Sequence, residues 1–234
     1  MAKFVVAIDG RAGSGKSTTA KAVAERLNFF YLDTGAMYRA FTLKYLQNGG
    51  STSRIDMEFV EEIIQEIAID LKQENSEIHV YLDGKDVTLG IRASSVSNFV
   101  SPISAIPQVR KWMVRKQREV AEGKNVVCEG RDIATVVFPD AQVKIFMQAD
   151  LKERARRRLK ELAEKNIVTS FDEVIENIEF RDKYDSNRKH SPLKKAEDAI
   201  VLDTTHLTIE EEIAFVERLI REKLPDCIFI SNTD

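Results

Sequence analysis

The run Gly10-Arg11-Ala12-Gly13-Ser14-Gly15-Lys16-Ser17 follows the spacing G-x-x-x-x-G-K-[ST], which suits the holding of a string of phosphates. Glycines let the backbone turn tightly and bring N–H groups up to phosphate oxygens. Lys16 can reach the β- and γ-phosphates of a nucleoside triphosphate, and the Ser17 hydroxyl can reach a magnesium ion. Thr18 carries the run into the next element. The flanks agree. Phe4-Val5-Val6-Ala7-Ile8 reads as a buried strand ahead of the loop, and Ala20, Val23, Ala24 and Leu27 recur at helical spacing behind it. A helix starting there points its positive end at the same phosphates.

Three further groups carry charge where chemistry is expected. In Asp33-Thr34-Gly35-Ala36-Met37-Tyr38-Arg39, the arginine falls on a helix behind a strand end; it could pair with a second substrate's phosphate or be an ordinary surface residue. Glu129-Gly130-Arg131-Asp132 sets opposite charges side by side at another strand end. Burying them is costly unless they are paired or meet a ligand, so a local salt bridge competes with a functional role. Arg154, Arg156, Arg157 and Arg158 crowd one helix, as a solvated basic face also would. Arg181 and Arg188 lie seven apart with Asp185 between them, an Arg–Asp–Arg stripe on one helical face. Several arginines and one phosphate loop suit phosphoryl transfer, which depends on positioning and on neutralising charge spread over the moving group.

The elements that must hold these groups form a pattern. Five apolar runs read as strands of a parallel sheet: Phe4–Ile8, Phe29–Leu32, Val126–Cys128, Val143–Met147 and Ile200–Leu202. Each ends at a polar or glycine position, and in an open parallel sheet ligands sit beyond the carboxyl strand ends. Between the second and third runs lies a segment far longer than one crossover needs. Phe59, Val60, Ile63, Ile64 and Ile67 predict a helix there; Ala68–Leu71 and Ile78–Leu82, an Asp83-Gly84 turn, and Val87 with Leu89 predict a small antiparallel sheet. Residues 150–192 read as a charged helical segment, which fits a mobile cover over the crevice or an ordinary surface helical pair. Ser170 with Glu173 and Thr208 with Glu211 predict capping boxes, Asp150 a further cap, and Ile209, Ile213, Val216 and Ile220 a buried stripe on the last helix.

Bulk properties narrow the function classes. The chain has 234 residues, 43% hydrophobic and 31% charged, with a net charge of −3, which fits a folded protein and gives no footprint for nucleic acid or a membrane surface as partner. Cys128 and Cys227 have neither metal-ligand spacing nor a disulfide framework; Cys128 reads as a core thiol. His79, His190 and His206 are scattered and read as surface residues. The first strand begins so early that no signal peptide is expected ahead of it, which points to the cytoplasm.

Taken in order, Ile8-Asp9-Gly10 entering the phosphate loop, Leu32-Asp33-Thr34-Gly35-Ala36-Met37-Tyr38-Arg39, Glu129-Gly130-Arg131-Asp132-Ile133, Val136-Val137-Phe138-Pro139-Asp140-Ala141, Asp185-Ser186-Asn187-Arg188, Ser191-Pro192-Leu193 and Ala196-Glu197-Asp198-Ala199 resemble the bacterial cytidylate kinases, over about residues 4–222. The resemblance implies an α/β P-loop nucleoside monophosphate kinase fold. Residues 1–35, 105–149 and 193–224 would form the core, 36–104 a monophosphate-binding domain holding the small antiparallel sheet, and 150–192 a lid; residues 225–234 have no assigned role. It implies phosphoryl transfer from ATP to CMP or dCMP with Mg2+, by a monomer. Residue by residue, it implies Gly10 to Thr18 with Arg154 and Arg157 around ATP, and Ser17 at the metal. Thr34 and Arg39 would hold the monophosphate with Arg131 nearby. Ser101, Arg110 and Asp132 would read cytosine, whose exocyclic amine suits an acidic acceptor, while Arg181, Asp185 and Arg188 serve the acceptor's sugar and phosphate. Lys16, Arg131, Arg158, Arg181 and Arg188 would act on the transferred group. Arg156 receives no role. The chain departs from the family's usual pattern at Glu129, often Asp, and at Ala134, often Gly. Adenylate- and shikimate-type kinases carry other acceptor-side signatures, and no Asn-Lys-x-Asp motif of a GTPase occurs.

Overall fold

The computed structural model describes residues 1–74, 77–164 and 167–224. It opens with β1 (Phe4–Gly10), α1 (Lys16–Arg26), β2 (Phe30–Asp33) and α2 (Thr34–Gln47). The long insertion follows as α3 (Met57–Glu66), β3 (Ile69–Glu74), β4 (Glu77–Leu82), β5 (Lys85–Asp86), α4 (Ser94–Ser104) and α5 (Pro107–Val120). The chain then returns through β6 (Asn125–Gly130), β7 (Val143–Gln148), α6 (Leu151–Glu164), α7 (Phe171–Asn187), β8 (Ile200–Asp203) and α8 (Ile209–Lys223). The five strands β1, β2, β6, β7 and β8 pair in parallel in the order β2-β6-β1-β7-β8. β1 is therefore central, and its carboxyl end lies beside that of β6.

Strand alternation sorts the core into two halves. Val5, Ala7, Leu32, Val126 and Cys128 face one side, where they pack with α2 and the insertion. Phe4, Val6, Ile8, Val127, Ile145 and Met147 face the other, against α1 and α8. Cys128 is fully buried, and burial pushes its thiol well above the ordinary range. The insertion shares its core with the sheet: Tyr45, Val60, Ile69 and Val80 belong to the same cluster as Val5 and Leu32. It also reaches the outer edge of β2, where Gln73 Oε1 accepts the Tyr31 N–H at 3.2 Å. α6 and α7 pack on each other through Ala155, Val174 and Ile178.

The predicted capping boxes at Ser170 and Thr208 are both formed. Four expectations need correction. The third strand of the small sheet is Lys85–Asp86, ahead of Val87 and Leu89; Leu89 is 86% exposed. Ile209 starts α8 facing solvent, and Leu219 takes its place in the buried stripe. His79 is half-buried and bonds Asp86 at 3.1 Å, whereas His190 and His206 are exposed. Arg188 lies past the end of α7 with extended backbone, so its arrival beside Asp185 comes from the chain turning rather than from helical spacing. Cys227 and the tail lie outside the described residues.

Candidate functional site

Gly15 precedes α1 with φ 91°, a left-handed conformation that glycine adopts without strain. No side chain caps α1, so its first N–H groups are left for an anion. Lys16 is buried and curls back, donating from Nζ to the Arg11 carbonyl at 2.7 Å and to Ser14 Oγ at 3.4 Å. Burial, then the Arg131 charge, lowers its ammonium to about 7. The Ser17 hydroxyl donates to Glu129 Oε1 at 2.5 Å, and Tyr31 Oη donates to the same oxygen at 3.3 Å. Burial and the nearby Asp33 raise the Glu129 carboxyl.

Asp9, at the end of β1, ties this loop to the next. Its two oxygens accept the N–H groups of Ile133 and Ala134, each at 2.8 Å. These open a π-helical turn, Ile133–Val137, behind the Arg131-Asp132 corner. Burial raises the Asp9 carboxyl to about 7. Gly130 is forced by a close approach: a Cβ there would lie 2.6 Å from Thr34 Oγ1 and 2.7 Å from Ile133 Cδ1. Thr34 Oγ1 itself donates to the Glu129 carbonyl at 2.8 Å, which pins the start of α2 to the end of β6. Asp33 caps α2 through the Ala36 N–H and accepts from Arg39 at 3.0 Å.

Charged side chains then run in sequence across the rim. Arg131 Nε donates to Asp185 at 2.8 Å; burial raises the Asp185 carboxyl, but Arg131, Arg188 and Arg181 together more than reverse this and leave it below the ordinary range. Arg188 Nη2 stands 3.6 Å from Asp132 Oδ1. Asp132 also pairs with Arg110, and both members are buried. Arg110 donates to the Ser104 carbonyl at 3.1 Å, and Ser104 Oγ donates to the Ser101 carbonyl at 3.0 Å. Arg181 is held down to about 10 by burial and by Arg131. Several buried donors in this region have no hydrogen-bond partner: Tyr38 Oη and one nitrogen each of Arg39, Arg110, Arg181 and Arg188. Buried donors in folded proteins are almost always paired, and this cluster has the chemistry to receive an acceptor-rich ligand.

The glycine loop, Thr34, Arg39, Ser101, Arg110, Arg131, Asp132, Arg181, Asp185 and Arg188 are thus brought to one rim. The α6 arginines are engaged differently. Arg154 is buried and donates to the Ala12 carbonyl at 3.1 Å, the Ala149 carbonyl at 3.0 Å and Asp182 at 2.6 Å. Arg157 donates to the Thr204 carbonyl and lies 3.5 Å from Glu212. Arg158 pairs with Glu161 at 2.6 Å, and Arg156 with Glu153 on the surface. Asp9, Ser104, Asp182 and Glu212 are buried hydrogen-bond partners to which sequence reasoning gave no role. Asp9 alone had a signal: a carboxylate at a strand end, directly ahead of the glycine loop.

Cationic groups facing a glycine loop at the carboxyl rim of a parallel sheet are what phosphoryl transfer requires, and the class that fold and site define is the P-loop phosphotransferase. The family model for cytidylate kinase matches residues 6–222. The cytidylate kinase of Caldanaerobacter subterraneus subsp. tengcongensis is 52% identical over 217 residues, 93% of this chain and 94% of that protein. That of Fusobacterium nucleatum is 46% identical over 222 residues, 95% of this chain and 99% of that protein. A crystal structure of an uncharacterized protein from Eubacterium ventriosum matches the fold alone, with a TM-score of 0.53 at 11% identity over 94% of this chain and 99% of that one. The chain belongs to the cytidylate kinase family.

Proposed function

We propose that this enzyme transfers the γ-phosphoryl group of ATP to CMP or dCMP, giving ADP and CDP or dCDP. The observation that carries the acceptor assignment is the buried Arg110–Asp132 pair beside the orphaned donors of Tyr38, Arg39, Arg181 and Arg188. In this reading the loop amides and Lys16 receive the β- and γ-phosphates of ATP. Lys16 regains its proton as polyphosphate charge replaces the water it has lost. Thr34 and Arg39 hold the monophosphate; Asp132 accepts from the cytosine amine while Arg110 donates to a ring acceptor, with Ser101 nearby. Uracil has a carbonyl where that amine sits and meets a carboxylate with no proton between them. Arg131, Arg181 and Arg188 converge on the acceptor phosphate and on the charge of the transferred group, and Asp185 holds Arg131 in place. Arg158, on the same side as Arg181, adds positive field. Arg154 and Arg157 serve ATP by bracing the loop and its surroundings.

The donor set suits a magnesium ion. The Ser17 hydroxyl and the buried Glu129 carboxylate are hard oxygen groups already in contact, with Asp33 close by. Ser17 and Glu129 would hold the ion, which would neutralise phosphate charge. Residues 36–104 act as the monophosphate-binding domain and 150–192 as the lid, around a core of 1–35, 105–149 and 193–224. The enzyme works as a monomer in the cytoplasm; among the described residues no helix is long and apolar enough to cross a membrane. A coupled ADP-release assay with ATP and a panel of CMP, dCMP, UMP, AMP, GMP and shikimate tests the assignment. CMP or dCMP should give the highest kcat/KM; faster turnover of any other acceptor overturns it.

A further inference from the structure

We infer that Asp182 is a positioning residue that locks α7 to the back of the glycine loop through Arg154, so that seating of the donor phosphates and placement of Arg181 are set together. This rests on the reading of Gly10–Ser17 as the ATP phosphate loop. A loop that points its N–H groups inward at phosphate must turn carbonyls outward, and those carbonyls need donors. The Ala12 carbonyl finds one in Arg154 Nη1 at 3.1 Å, while Arg154 Nε holds the Ala149 carbonyl just past β7. Arg154 is 3% exposed. A buried guanidinium needs a countercharge, and it comes from the lid helix: Asp182 Oδ2 accepts from Arg154 at 2.6 Å and from Arg11, within the loop, at 3.3 Å. Asp182 Oδ1 is buried without a partner, so the carboxylate is oriented by these arginines alone.

The next residue back along α7 is Arg181, whose Nε is buried and unpartnered. One rigid turn therefore carries both the anchor to the donor loop and an arginine for the transferred phosphoryl group. Asp185 lies three residues further on, on the same helical face, and takes Arg131 from the loop after β6. The two carboxylates thus grip the donor loop and the acceptor loop one turn apart. A shift of α7 changes the hold on the Ala12 carbonyl and the aim of Arg181 at once.

The test compares Asp182→Asn, Arg154→Lys and the double variant in the full chain. It measures the Kd of a non-hydrolysable ATP analogue by calorimetry, and kcat and the KM for CMP, each normalised to the folded fraction. Asp182→Asn should weaken analogue binding about tenfold, a typical coupling between sites. It should also lower kcat about 10–100-fold, the effect of a small misplacement at a distance, and raise the KM for CMP, because the same turn carries Arg181 and the Asp185 hold on Arg131. The double variant should lose no more than the worse single one, because both break one linkage. Asp182→Glu, which restores the charge, should recover part of kcat. A merely structural Asp182 would lower Tm and leave these constants per folded molecule unchanged; that result, or losses that add in the double variant, overturns the inference. If Asp182→Asn does not fold, Asp182→Glu carries the same readouts with smaller losses expected in analogue affinity and kcat, and wild-type values overturn it equally. Lys16→Ala is the separate control: wild-type analogue affinity there would mean that the loop is not the ATP site, whatever Asp182 does.

Discussion

Replacing Asp132 should alter base choice more than it alters the fold. Asp132 and Arg110 are both buried, and Arg188 stands 3.6 Å from the other carboxylate oxygen. Removing one member of a buried pair costs about 3–5 kcal/mol. Arg110 keeps the Ser104 carbonyl and Arg188 keeps the Ser191 carbonyl, so Asp132→Ala belongs at the lower end, about 3 kcal/mol. For a chain of this size that is a fall in Tm of about 6–12 °C, which leaves the protein folded for assay. The change in discrimination is separate. A paired hydrogen-bond contact to a base is worth about 1–3 kcal/mol against the wrong base, so the CMP/UMP ratio of kcat/KM should fall about 5- to 150-fold. Asp132→Asn sharpens the test, because its amide can donate to the uracil carbonyl and should move the ratio further toward UMP than Ala does. Parallel coupled assays with both nucleotides at several concentrations give the ratio directly. A ratio within twofold of wild type in both variants, with folding intact by circular dichroism, would refute the cytosine assignment.

Lys16→Ala should abolish turnover while leaving Tm near wild type; kinase activity close to normal in that variant would exclude the glycine loop as the donor site. Binding of an ATP analogue at pH 8 should take up protons. A lysine held at about 7 is about nine-tenths neutral there in the free enzyme, and bound polyphosphate favours its charged form. Affinity should therefore be flat below pH 7 and fall above it; calorimetry in buffers of differing ionisation enthalpy that shows no uptake at pH 8 would contradict the lowered lysine. Gly130→Ala should cost about 1–3 kcal/mol from the clash with Thr34 and Ile133 and raise the KM for CMP more than that for ATP, read from denaturant midpoints and initial rates. Equal changes in both KM values would argue against Thr34 as an acceptor ligand.

All five strands of the parallel sheet could be read from their apolar runs; β1 and β6, buried on both faces, need unbroken hydrophobic stretches, and the edge strand β8 keeps an apolar run although only Leu202 is buried. The glycine loop was legible because its spacing is imposed by one ligand. The third strand of the small sheet was legible as a strand after the Asp83-Gly84 turn but not at its true residues, since Lys85–Asp86 is short, polar and exposed and carries no burial pattern. The Arg–Asp–Arg grouping was foreseen, but its geometry was not: Arg188 leaves the helix, and only the folded chain shows that Asp185 serves Arg131. Arg154 and Arg157 read as a basic helix because sequence gives the charge but not its direction. Both turn inward to carbonyls contributed by residues distant in the chain. Asp182 was invisible for the same reason, since its partners lie 28 and 171 residues away.

The bond from Gln73 to the backbone of Tyr31 has a consequence for how copies of this protein meet one another. A bare outer strand offers its amides to any other chain that can add on beside it. On β2 the inserted lobe sits there instead, and its shared apolar packing keeps it in place. The lobe thus doubles as a guard rail for the sheet, so trimming it away would uncover a template for unwanted pairing.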